Sequence, residues 1–326
     1  MPNKQNKVRN WKDYNESLKR RGGIIFSFDE NYLSHLYYKD EQARGGVRLY
    51  AEGMYEFLLT IKVMLRLPWR STIGFAEGLL KKAFPYESIE VPNFAHASRE
   101  CACLNLKIKQ FMPPRLDGME LAFDSTGVNV YSTSGWHQRK YGQESLCRKR
   151  DQWKKIHIVM DLDNQQVMSM DFTDSNVNDC EVIGSLCREI KSKTKSVRAD
   201  GAYDTEEFYS IIEDWGAQAM IPPARTSKAQ DELKKKPKQK KIHLQQRDKI
   251  IKEIRKYEDF DEGLKNWKIQ SGYHRRSLIE SLMFRLKKAF GFNLQNKTDK
   301  ARRNEIIIKI TLLNFMASYG RAQYSI

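Results

Sequence analysis

Between Met119 and Pro223 the sequence adopts a texture that few architectures accommodate. Leu121 and Phe123, then Val128 and Val130, alternate with small or polar residues around Asp124. Ile156, Ile158 and Met160 alternate in the same way between Lys155 and Asp161. A period of two marks a strand with one face buried. Asp163-Asn164 supplies a turn, and Val167, Met168, Met170 and Phe172 belong to the returning strand. An amphipathic helix over 179–191 follows, then a short strand over 195–200. A helix from Thr205 to Trp215, closed by Gly216, leads to a last strand over 218–221 that ends at Pro222-Pro223. The order strand, strand, strand, helix, strand, helix, strand predicts an α/β domain, a mixed sheet flanked by helices.

Upstream the periodicity is helical. Met54, Phe57, Leu58, Ile61, Met64 and Leu65 recur at spacings of three and four, and Pro68 lies just beyond. Ser71 or Thr72 can cap a second helix to Ala83, and Asn93 a third that runs through Arg99 towards Leu104. Residues before about 48 are polar and aromatic, broken at Gly22-Gly23 and Gly45-Gly46. Three short helices with tight turns suit a helix-turn-helix-like unit that presents one helix to a DNA groove. Small helical bundles of other purpose share that pattern. The stretch from Gly272 to Ala322 is again helix-rich. The expected division is a helical region over 1–115 and an α/β domain over 116–326, with a basic insert at about 224–270.

Charge is where composition matters. Lys and Arg number 57 against 41 Asp and Glu, a net +16 over 326 residues. From Arg225 to Lys256 there are thirteen Lys/Arg and four Asp/Glu, so this stretch alone carries +9. Within it, six lysines between Lys234 and Lys241 surround Pro237. Such a run is either a solvated linker or the footprint of a polyanion, since each phosphate neutralised releases condensed counterions. With 40% hydrophobic and 11% aromatic residues, the chain is not a disordered one. Its best apolar run, Ile306 to Met316, is broken by Lys309 and falls short of the roughly 20 residues that span a bilayer. No apolar segment follows the basic residues at the N-terminus, so a soluble cytoplasmic protein is expected. The five cysteines form no Cys-x-x-Cys pair and the six histidines no His-x-x-x-His pair, which argues against disulfides and zinc.

Three acids stand out. Asp124 interrupts an apolar strand in Phe-Asp-Ser-Thr-Gly (123–127), where an ionised carboxylate is costly unless it is paired or bound to a cation. It also reads as a strand-end residue capping the turn at Gly127. Asp200 ends the strand before Gly201 in the same manner, while Asp204 reads as a helix N-cap. A sheet that sets its first and fourth strands side by side brings Asp124 and Asp200 together, and two such carboxylates repel unless a cation lies between them. Further on, Tyr273, Arg276, Glu280 and Lys287 fall within about 60° of one another at 100° per residue on a helix. That face is either an ordinary surface ion pair or a functional one. His157 reads as a structural or an auxiliary site residue, and Trp11 as a packed aromatic or a base contact. Trp136 and His137, near Arg139, Lys140 and Tyr141, read as a DNA contact or a plain cationic loop.

Together these blocks resemble the insertion-sequence DDE transposases, in the branch named after insertion sequence five. Tyr273, Arg276, Glu280 and Lys287 fill that branch's Tyr-x2-Arg-x3-Glu-x6-Lys signature without a gap. The blocks at 123–127 and 199–204 are similar to those carrying the family's first and second Asp. Asn10-Trp11-x-x-Tyr14-Asn15, Trp153-Lys-Lys-Ile-His157 and Ile221-Pro-Pro223 are similar to further family signatures. The likeness covers nearly the whole chain in order, with the acids 76 and 80 residues apart. The lysine-rich insert departs from it.

The resemblance implies a ribonuclease-H-like catalytic domain in which Asp124, Asp200 and Glu280 bind two Mg²⁺ ions, with Mn²⁺ a possible substitute. Asp124 would bridge both ions. Two such ions stabilise the entering and leaving oxygens of an in-line displacement at phosphorus. Water would cut the transposon end and free a 3′-OH, which would then attack target DNA. Tyr273, Arg276 and Lys287 would hold DNA near the scissile bond. Partners would be the terminal inverted repeats, target DNA and at least a second copy of the chain, in a bacterial cytoplasm and on the nucleoid when DNA is bound. Two rivals remain: a transposon-derived DNA-binding protein without catalysis, and a basic RNA-binding or ribosome-associated protein.

Overall fold

The computed structural model describes residues 10–23, 31–38, 49–130, 153–190, 192–233, 241–291 and 293–320. Trp136 to Tyr141 and the lysines at 234–240 lie outside these residues. The chain divides into two compact units, one formed by 1–111 with 294–326 and the other by 112–293. The final helix therefore groups with the N-terminal region, whereas the expected boundary at 115/116 assigned it to the α/β domain.

In the first unit the helices are α1 (Trp11–Gly22), α2 (Tyr32–Leu36), α3 (Glu52–Leu65), α4 (Trp69–Ala83) and α5 (Phe94–Cys103). The apolar stripe of α3 is buried as its spacing predicts, with Met54, Leu58 and Ile61 packed on Leu36, Ala76 and Leu80. Helix α3 stops because Arg66 turns left-handed at φ 53°, two residues before Pro68. Helix α4 then starts earlier than the expected Ser71/Thr72 cap. Pro68 is its N-cap, and Thr72 Oγ1 instead donates back to the Pro68 carbonyl oxygen at 3.1 Å. Asn93 does cap α5, accepting the His96 N–H at 2.9 Å. Helix α1 was not legible, because Trp11 and Leu18 face outward, and α2 is only five residues long.

The last helix (Asp299–Ser318) completes this unit. It explains the broken run at Lys309: Lys309 Nζ meets Glu305 at 2.8 Å in a buried ion pair. Glu305 also accepts the N–H groups of Gln295 and Asn296, so the charge is solvated by protein. Among the described residues no helix is long and apolar enough to cross a membrane.

The second unit holds strands β1 (Met119–Val130), β2 (Trp153–Asp161), β3 (Gln166–Asp174), β4 (Thr194–Arg198) and β5 (Gln218–Met220). These five run in the order β3-β2-β1-β4-β5. The β1–β2 and β2–β3 pairs are antiparallel, and β1–β4 and β4–β5 parallel. This is the expected ribonuclease-H-like mixed sheet. One face is packed by α6 (Ile183–Arg188) and α7 (Glu206–Asp214), where Ile183, Leu186, Phe208 and Ile212 meet Leu121, Phe123 and Val159. The helix expected over 179–191 is shorter, a 3₁₀ turn (Asp179–Val182) leading into α6. Thr205, not Asp204, caps α7. Asp204 is taken instead by Arg247, whose Nε and Nη2 reach its two oxygens at 2.7 and 2.9 Å.

The basic insert is largely folded structure. Helices α8 (Gln245–Ile254) and α9 (Phe260–Gln270) bury Ile250, Ile254 and Trp267 against Met220 and Tyr273. Several of its cations are paired: Lys252 with Asp231, Arg225 with Asp261 and Arg247 with Asp204.

Candidate active site

Asp124 lies mid-strand on β1 and follows the even-numbered alternation, so it shares a face with Thr126 and not with Ser125. Helix α10 (Ser277–Phe290) approaches this face: Lys287 Nζ donates to Thr126 Oγ1 at 2.6 Å. Ser125 lies on the other face, where its hydroxyl donates to Asp179 at 3.0 Å. Lys155 Nζ reaches the same carboxylate at 2.9 Å, and His157 Nδ1 stands 3.3 Å from it. Fully buried, His157 shares its other nitrogen with Thr173 at 2.9 Å. Of the two readings of His157 the structural one holds, since it packs behind the sheet from Asp124.

The parallel β1–β4 ladder pairs Ala122 with Arg198; Asp124 stands two residues further along β1, and Asp200 two residues beyond the end of β4. Asp200 caps the 3₁₀ turn Gly201–Tyr203, accepting the Ala202 N–H at 2.8 Å. Asp124 accepts the Ser125 N–H at 3.0 Å through Oδ1 and Arg276 Nη1 at 3.0 Å through Oδ2. The second guanidinium nitrogen of Arg276 lies 3.1 Å from Glu280 Oε1. Burial pushes the Asp124 carboxyl up, Arg276 and the Ser125 amide oppose that, and the charges of Asp200 and Glu280 push it further up. Asp124 therefore feels the charge of both other acids.

The signature residues divide between two elements instead of sharing one helix. Tyr273 to Arg276 form a 3₁₀ turn, entered through Gly272 at φ 67°, and α10 begins only at Ser277. Tyr273 is 9% exposed. Its ring packs 5.8 Å from that of Trp267, and its hydroxyl donates to the Ala199 carbonyl oxygen at 3.2 Å, directly before Asp200. Burial raises its pKa. The side chain expected to stack on DNA is thus engaged in tying the turn to the second-acid strand. Glu280 is the open member, 58% exposed at its side chain. Trp11, in the other unit, is more than half exposed, with its ring 6.2 Å from that of Tyr14.

Four further residues hold the frame. Thr126 fixes Lys287, and Glu120, Arg198 and Arg275 link β1, β4 and the 273–276 turn. Nothing in the sequence singles them out, because each is an ordinary charged or polar residue until the fold brings them together.

Among the described residues, no three Asp, Glu, His or Cys side chains stand as a ready-made cage for a metal ion. The donor chemistry nevertheless suits one. A partly buried carboxylate beside two others requires positive charge, and the guanidinium of Arg276 supplies it here. Hard carboxylate oxygens with an open side are what divalent cations such as Mg²⁺ take.

Comparison with known families agrees. A family model described as Transposase DDE domain matches residues 116–315, and a second of the same description matches residues 19–133. The first spans more than half of the chain, from the strand of Asp124 through Asp200 to the helix of Glu280. The chain belongs to the DDE transposases, a family that uses divalent metal ions.

Proposed function

We propose that this chain cuts DNA at the ends of a transposable element and joins the freed 3′-OH to target DNA. The observation that carries this reading is Asp124, a desolvated carboxylate on the central strand that feels both Asp200 and Glu280. Those three side chains would hold two Mg²⁺ ions, with Mn²⁺ a substitute. Bound there, the ions would neutralise charge on the entering and leaving oxygens of the phosphodiester.

The chain's own residues have separable tasks. The alternation of β1 orients Asp124 towards α10, and the turn at Asp200 fixes the second carboxylate by its bond to the Ala202 amide. Glu280, on the exposed side, is the acid free to adjust as substrate arrives. Arg276 and Lys287 stand on the same side of the sheet as Asp124, where a planar fork and an ammonium can hold phosphate oxygens beside the scissile bond. In the first step water attacks phosphorus, the bridging 3′ oxygen leaves, and a 3′-OH and a 5′-phosphate result. In the second that 3′-OH attacks a target phosphodiester and a target 3′-OH leaves. Neither step forms a bond to the protein.

The helices of the first unit would read the terminal repeats, with one helix in the major groove. Two ends must meet in one complex, so the working form is at least a dimer. The match to the Tyr-x2-Arg-x3-Glu-x6-Lys signature supports the branch named after insertion sequence five. The test is an end-cleavage assay on duplex DNA carrying the inverted repeats that flank the gene, with Mg²⁺ and with EDTA. Metal-dependent nicking at the element boundary is expected. End binding without any nicking in Mg²⁺ or Mn²⁺ would favour a DNA-binding protein that no longer catalyses.

A further inference from the structure

Beneath the three acids lies a second set of charged side chains, and each stands a few residues from one of them. Glu120 precedes Asp124 on β1 by four residues, Arg198 precedes Asp200 by two, and Arg275 precedes Glu280 by five. Arg198 is 4% exposed and donates from Nη1 to Glu120 Oε2 at 2.9 Å and to Ser196 Oγ at 3.0 Å. Its Nε donates to the Gly272 carbonyl oxygen at 3.2 Å, where the 273–276 turn begins. Arg275 donates to the same Glu120 oxygen from one nitrogen, and from the other to Asp163 Oδ1 at 2.7 Å. One carboxylate thus receives two guanidinium groups, from the strand that leads to the second acid and from the turn that leads to the third.

We propose that Glu120 and Arg275 are positioning residues that set the three-acid site, Arg275 by clamping the 273–276 turn to the sheet. The inference rests on the reading of Asp124, Asp200 and Glu280 as the metal-binding acids. An exposed ion pair contributes little. Here, however, the fork of Arg275 bridges two largely buried carboxylates on different loops and strands, which fixes direction as well as distance. Glu120 and Asp163 give the Arg275 fork two carboxylates, and Arg115 Nη1 also reaches Asp163, at 3.4 Å, so Arg275 has no need of DNA to satisfy it. Arg275 is adjacent to Arg276 in sequence but holds the protein, whereas Arg276 faces the acids. If the clamp is released, the turn and the first residues of α10 lose their fixed height above Asp124, and Glu280 moves with them.

The test measures Mn²⁺ binding to the full, DNA-free chain by electron paramagnetic resonance, together with DNA affinity and Tm. Arg275→Met keeps the aliphatic stem and leaves the Arg198–Glu120 bond intact. Arg275→Lys keeps the charge but not the fork, and covers the case in which the first variant does not fold. Glu120→Gln removes the shared acceptor charge. We expect Mn²⁺ affinity to fall about tenfold or more in Arg275→Met and Glu120→Gln and by less in Arg275→Lys, with end-DNA affinity within about twofold of wild type. Unchanged Mn²⁺ affinity in folded Arg275→Met or Arg275→Lys overturns the inference. So does a loss of DNA affinity with a salt slope lowered by about 1 and intact metal binding, the mark of a phosphate contact. Asp124→Asn separates the two levels. If it abolishes Mn²⁺ binding while Arg275→Met and Arg275→Lys leave it untouched, only the clamp fails. If Asp124→Asn binds Mn²⁺ like wild type, the reading of the acids fails and the clamp with it.

Discussion

Asp124 and Asp179 show how two carboxylates two sides of one sheet apart are given opposite characters. Asp124 has one cationic neighbour and two anionic ones, and burial raises its pKa. For Asp179, burial pulls upward, but His157, Lys155 and Ser125 together hold the carboxyl well below its ordinary range. A depressed carboxylate stabilises the fold above its unfolded pKa of about 3.9, and that stability is lost as pH falls through the folded value. Asp179→Asn is therefore expected to cost roughly 2–4 kcal/mol at pH 7 and to flatten the acid limb of the stability curve below about pH 4. Denaturant titrations between pH 2.5 and 7 check this, and parallel curves for the two proteins would refute it. Lys287→Ala is expected to act on DNA and not on the fold. Its ammonium is only partly buried and donates to the neutral hydroxyl of Thr126, so Tm should move by only a few degrees, while the salt slope of end binding falls by about 1. A large drop in Tm with an unchanged slope would make Lys287 structural. At this scale the acids were legible because a lone carboxylate in an apolar strand is conspicuous. Glu120, Arg275 and Asp179 were not, since their partners are 155, 112 and 54 residues away, as in Arg275–Glu120, Arg275–Asp163 and Ser125–Asp179.

At the scale of elements, the strands were the readable part. Each expected strand is present within a residue or two, because one-sided burial writes itself into alternation. The helix ends were less so. Thr72 and Asp204 have capping side chains, yet the first bonds back to Pro68 and the second is claimed by Arg247, a partner 43 residues away. Tyr273 and Arg276 were read on the same helix as Glu280, but the left-handed Gly272 and the ties to Ala199 and Asp124 tighten that turn to 3₁₀. The α8–α9 pair gives the sharpest prediction here. A Cβ on Gly263 would stand 2.0 Å from the Ile254 carbonyl oxygen, backbone that cannot step aside cheaply. Gly263→Ala should cost about 2–3 kcal/mol and loosen the packing under Tyr273. Thermal unfolding measures the loss, and a Tm equal to wild type would show that the two helices are not held at this distance.

For the whole molecule, net charge pointed to a polyanion, but part of the basic stretch turns out to be paired inside the second unit. Among the described residues, Arg276 and Lys287 are cations that stand on the side of the sheet where Asp124 lies. Sequence spacing alone placed the final helix with the sheet, and the structure groups it with the N-terminal helices, a long-range association with no local signature. The most direct measurement is cleavage of end-bearing duplex in Mg²⁺ by wild type and by Asp124→Asn, Asp200→Asn and Glu280→Gln, with end binding followed in the same samples. Each variant is expected to bind ends within a fewfold of wild type and to cut them slower by a factor on the order of 10³. Any one of the three cutting at the wild-type rate would contradict the account.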